Sequence, residues 1–136
     1  MRIVKWFIAG ALAVPLGHQI MLWVLHAIGY TDRAPFAMTA TKPFGVPSLV
    51  SLSFWGGAWG ILLGLVLARV RPERFWIVAA LFGAVAPTLV AGLVVAPLKG
   101  QPMPSGPKMI VLGLLVNLAW GLATAAFFRL MDRRNA

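Results

Sequence analysis

SLVSLSFWGGAWGILLGLVLA, residues 48–68, runs without one charged side chain. At about 1.5 Å of rise per residue, a helix of this length covers the ~30 Å of bilayer hydrocarbon. Gly56, Gly60, Gly64 and Ala68 recur at every fourth position, so they share one helix face and would let a neighbouring backbone approach closely. The stretch reads as a membrane span with a packing seam, and it has an echo. Ala58-Trp59-Gly60 returns as Ala119-Trp120-Gly121, each followed by an apolar run and an arginine, with the Trp-to-Arg spacing differing by one residue. Each copy is preceded by an apolar segment with an internal proline (Pro15, Pro87) and by a Pro/Gly-rich connector. One helical hairpin, used twice, accounts for this order.

Composition agrees. Apolar residues make up 60% and charged residues 11% of the 136, against about 45–50% and about 25% in soluble domains. A chain this short forms one domain, residues 1–136, and could not hide so much apolar surface from water. Lipid is therefore the expected solvent. Without cysteine there are no disulfides, thiolate metal sites or thiol redox chemistry. The net charge of +9 sits at the ends of apolar runs rather than on a polar face. That pattern points to topology signals and lipid headgroups, not to nucleic acid.

Four segments are long enough to span: 3–28, 48–68, 75–96 and 109–128. The first exceeds the ~7–15 residues of a signal h-region, so it reads as an uncleaved helix. Arg2, Lys5, Arg69, Arg71, Arg74, Arg129, Arg133 and Arg134 gather at one end of the spans, whereas the long connectors hold only Arg33, Lys42, Lys99 and Lys108. The positive-inside rule then places both termini and the 69–74 turn in the cytoplasm of a bacterial inner membrane. Trp6 and Trp76 are expected near the inner interface, Trp23 and Tyr30 near the outer one. Connector 29–47 is expected to cap the bundle or to act as a lid over an outward-facing cavity, and connector 97–108 to run extended.

Gly56, Gly60, Gly64, Gly113 and Gly121 are the expected helix-packing positions, with Ala9, Ala13, Gly17, Ala79, Gly83, Pro87, Ala91 and Ala125 on similar faces. They serve tight packing within one bundle, homo-oligomer contacts, or both. Depth along the spans brings His18 and Gln19, Thr88 beside Pro87, and Asn117 into one layer of the outer half, level with Trp55 and Gly56. Polar side chains at such depth face the bundle or water. They either line a small hydrated pocket walled by Trp55 and Trp59, or form an interhelical hydrogen-bond network that locks the bundle. Aligning the two Ala-Trp-Gly copies sets Gly56 against Asn117.

Several chemistries lack residues. Asp32, Glu73 and Asp132, the acidic residues, all fall outside the spans, so a proton-coupled exporter has no intramembrane carboxylate and an aspartyl dyad no pair. His18 and His26 lie on one helix about 12 Å apart, which does not suit haem or another metal in one chain. His26 is expected to meet water at the outer interface. A pairing of Ser51 or Ser53 with His18 lacks an acidic orienter and a Gly-x-Ser-x-Gly context. No catalytic residue, cofactor or metal is assigned.

Pro43-Phe44-Gly45-Val46-Pro47, running into Phe54-Trp55-Gly56-Gly57-Ala58-Trp59-Gly60, resembles the small, uncharacterised four-span inner-membrane proteins of proteobacteria. The resemblance covers mainly the first hairpin and carries over no activity. The sequence thus predicts an all-α membrane protein, a bundle of four transmembrane helices in two tandem hairpins. Its function is expected to be non-enzymatic, a component packing against itself or a membrane-protein partner. The alternative is a small transporter or channel-like protein that binds a solute in the outer-half polar layer.

Overall fold

In the computed structural model, which describes residues 2–41, 44–101 and 106–134 (side chains of 133 and 134 excepted), the chain is all-helical apart from one short ribbon. Four helices are long and apolar enough to cross a membrane: α1 (Arg2–Ala27), α2 (Ser48–Leu67), α3 (Pro72–Leu98) and α4 (Pro107–Arg134). Their outward positions are apolar, with Leu12, Leu16, Ile20 and Trp23 of α1 and Leu81, Leu89 and Leu93 of α3 between 41% and 60% exposed. Lys42, Pro43 and residues 102–105 lie outside the described residues, and with them part of the expected extended run at 97–108.

Local chemistry sets the ends and kinks. Pro15 lacks the N–H an α-helix would use and its ring crowds the preceding turn. The helix responds with a π turn over Val14–His18, in which the Gln19 N–H reaches Val14 O. A matching π turn, Ala91–Val95, lies in α3 beyond Pro87. Both helices end on a glycine at positive φ, Gly29 (φ 78) and Gly100 (φ 71). There the Tyr30 N–H bonds Leu25 O at 2.9 Å and the Gln101 N–H bonds Ala96 O at 2.8 Å, closing the same C-terminal motif twice. Arg71 is extended ahead of Pro72, which opens α3.

Connector 28–47 caps α2. Thr39 O and Ala37 O accept the Ser48 and Leu49 N–H groups at 2.8 and 3.0 Å, filling orphan donors of the helix start. Strands β1 (Ala40–Thr41) and β2 (Val46–Pro47) pair antiparallel within it, Ala40 opposite Pro47.

Each hairpin is built on one glycine crossing. A Cβ on Gly60 would stand 2.8 Å from Gly10 Cα, and one on Gly121 would stand 2.9 Å from Gly83 Cα. Gly10 would in turn meet Gly56 O, and Gly83 would meet Asn117 O at 2.8 Å. The second crossing thus repeats the first, 73 residues on in its first helix and 61 in its second. Gly64 takes the Trp6 ring and Gly57 the Phe7 ring, whereas Gly113 faces Thr88 Cγ2 at a looser 3.2 Å. Between hairpins, α1 packs on α4 through Gly17, whose added Cβ would be 2.7 Å from Ala123 Cβ.

The main core lies toward the termini: Ala9, Ala13, Leu63, Ala79, Trp120 and Ala125 are at most 2% exposed. A second cluster, Leu22, Leu25, Leu112 and Val116, joins α1 to α4 near the connectors. The α2–α3 contact is slighter and centres on Trp59, whose ring stands edge-on to Phe82 with centroids 6.0 Å apart. At the termini end, Arg2 lies 5.2 Å over Trp6 and Arg129 lies 4.2 Å over Phe75. Trp6, expected at the inner interface, is also packed against Phe128 and the main core.

Candidate functional site

The layer expected to hold His18, Gln19, Trp55, Thr88 and Asn117 separates into two polar nodes and an outward tryptophan. The first node follows the π turn of α1. Gln19 is only 2% exposed, and its Oε1 accepts the Phe36 N–H at 2.7 Å. That bond fixes the amide's orientation, because a backbone N–H can only donate. Gln19 Nε2 must then donate to His18 Nδ1, 2.9 Å away. Phe36 pays for this reach with a left-handed backbone (φ 54), uncommon for an aromatic residue. The connector is therefore drawn down onto the bundle by one side chain.

The second node lies between α3 and α4. Asn117 Nδ2 donates to Thr88 Oγ1 at 2.9 Å. The Thr88 hydroxyl donates in turn to Ala84 O at 2.6 Å, with Gly113 O at 3.2 Å as its other acceptor. Its geometry ties the helix with the internal proline to its partner. In the first hairpin the position of Asn117 is Gly56, which instead lies against Val14 and the Gly10 backbone.

No hydrogen bond joins the two nodes among the described residues. Trp55 departs from the pocket wall expected of it. It is 59% exposed and stands edge-on to Phe54 at 5.3 Å, itself edge-on to Phe7 at 5.9 Å. Its position on α2 turns the ring away from the bundle, and Gly56 and Gly57 take the buried side. Trp59 faces Phe82 rather than a polar group. His26 is exposed and its Nδ1–H reaches Thr31 O at 3.1 Å. Among the described residues, no group of three His, Asp or Glu side chains converges as metal ligands would.

Two structural ties and one crossing glycine were not signalled by motif. Trp120 Nε1 donates to Gly10 O at 2.9 Å, joining the second Ala-Trp-Gly to the first hairpin. Thr124, fully buried, returns its hydroxyl to Trp120 O at 2.8 Å. Gly10 itself escapes an alignment made on Pro15 and Pro87, which sets Ala11 against Gly83, one residue out of register.

Replacing Gln19 with leucine removes the acceptor of the Phe36 N–H. Exchange of the Phe36 amide should quicken about tenfold, the equivalent of ~1.4 kcal/mol of lost protection. Hydrogen exchange resolved to that residue checks this, and unchanged protection would show that the strand ribbon, not Gln19, holds the connector.

A search of family models, curated proteins and solved structures returns no match to this chain.

Proposed function

We propose that this protein is a non-enzymatic, multi-pass component of a bacterial inner membrane, with both termini cytoplasmic, that acts by packing against a second copy of itself or another membrane protein. Four helices suited to crossing a membrane support residence there. The arginines over Trp6, Phe75 and Trp76 support an interfacial belt at the termini end.

The Phe54–Trp55 pair carries the partner-binding reading. Trp55 is the eighth residue of α2, about 12 Å along the helix, deeper than the interface where tryptophan is usually found. It is exposed there, and its indole N–H has no hydrogen bond within the described chain. An indole donor facing hydrocarbon is costly, whereas a neighbouring helix can supply both an acceptor and a ring contact. The polar nodes support the same reading, since their donors and acceptors are directed at one another.

Size-exclusion chromatography with mass measurement in a mild detergent tests this. The wild type should run above its monomer mass, and Trp55→Ala should shift it toward monomer at equal concentration. A strictly monomeric wild type that captures no membrane protein when cross-linked in native membranes would overturn the reading.

A further inference from the structure

A cleft of about 290 Å³ opens at the connector end, between the segment that follows α1 and the first turns of α4. Its walls differ in character. Asp32, Arg33 and Lys108 bring charge, whereas the exposed Met109 and the buried Leu112 make the cleft apolar on its α4 side. Tyr30 fastens the two sides: its O–H donates to Lys108 O at 3.4 Å, and the Lys108 ammonium lies 5.2 Å over its ring. Asp32 and Arg33 form no ion pair with any described residue, nor does Lys108. The volume far exceeds the ~10–15 Å³ that one water needs by the same measure, so a bare ion would not fill it.

We propose that this cleft binds a phosphoester–ammonium zwitterion carried on a phospholipid, such as a phosphatidylethanolamine. Arg33 and Lys108 take the phosphate, where guanidinium and ammonium donors make charge-assisted bonds. Asp32 takes the ammonium and disfavours a headgroup with no cation. Met109, 49% exposed above the buried Leu112, leads the acyl chains back into the bilayer. The cleft lies at the ends of two spans, which is headgroup level. The inference rests on membrane residence but not on self-association.

Native mass spectrometry of the detergent-purified protein tests it with three probes: phosphatidylethanolamine, phosphatidylglycerol of matched chains, and water-soluble glycerophosphoethanolamine. Phosphatidylethanolamine should be retained in preference to phosphatidylglycerol. Asp32→Asn should abolish that preference, lowering phosphatidylethanolamine retention and raising that of phosphatidylglycerol. The double variant Arg33→Gln/Lys108→Gln should weaken retention of both lipids about tenfold, ~1.4 kcal/mol. These positions are exposed, so each variant should keep the wild-type thermal unfolding midpoint and oligomeric mass. Equal retention of both lipids, unmoved by Asp32→Asn, would overturn the assignment. So would competition by glycerophosphoethanolamine at concentrations equal to the lipid, which would move the ligand from membrane to water. A wild type without lipid preference but with its oligomeric mass intact would mark the failure of this assignment and not of the partner-binding reading.

Discussion

Gly10→Val and Gly83→Val should each destabilise the bundle by about 2–3 kcal/mol, at the upper end of overpacking costs, because what they meet is backbone. A Cβ at Gly10 would run into Gly56 O and stand 2.8 Å from Gly60 Cα. One at Gly83 would stand 2.7 Å from Gly121 Cα. Neither neighbour can rotate aside, so the helices must separate and lose the dispersion contacts on which association in lipid depends. The two substitutions should cost about the same, since the crossings are built alike. Gly113→Ala is the internal control: its new methyl would meet the Thr88 side chain at 3.2 Å, and that side chain can give. Reversible unfolding by SDS titration in mixed micelles reads all three. A Gly83→Val protein as stable as wild type would mean that the second crossing is not the structural twin of the first.

These glycines show how far the sequence carries. The four long apolar helices are legible from hydropathy, and they begin and end within three residues of 3–28, 48–68, 75–96 and 109–128, except that α4 runs on to Arg134. The seam on α2 is legible too, because Gly56, Gly60 and Gly64 repeat at helical spacing and all three are buried against α1. Rotation and neighbour choice are not. A helix apolar on every side, such as α2, has no polar stripe to mark which face turns inward, so Trp55 reads as a wall when its ring points out. For the same reason His18, Gln19, Thr88 and Asn117, read as one layer, divide between two places. Gln19 finds its partner in the connector, where the φ of 54 at Phe36 has no sequence signature, and Asn117 finds Thr88 on the adjacent helix. Proline positions mark where α1 and α3 deviate. The π turn encloses Pro15 in α1 but lies beyond Pro87 in α3, and the crossing glycines align at 73 residues while the prolines align at 72.

The doubled Ala-Trp-Gly should prove unequal when its tryptophans are removed. Trp120 is 2% exposed, with its indole bonded to Gly10 O and Thr124 closing on its own carbonyl. Trp59 is half-buried and makes an edge contact with Phe82 but no indole bond. Both side chains cross from one hairpin to the other, but only Trp120 reaches backbone. Trp120→Ala should therefore cost about 3 kcal/mol, the low end of the ~3–5 kcal/mol for aromatic truncation in soluble cores. The lower figure is expected because a disassembled helix still holds its tryptophan in lipid rather than water, leaving the cavity and the lost contacts as the main terms. Trp120→Phe isolates the indole bond and should cost about 1 kcal/mol. Trp59→Phe deletes no hydrogen bond and should cost less than that. The same SDS titration decides the order. If Trp59→Phe and Trp120→Phe were equally destabilising, the bond to Gly10 O would contribute nothing. The two tryptophans would then tie the hairpins by ring packing alone, symmetric in energy as they are in sequence.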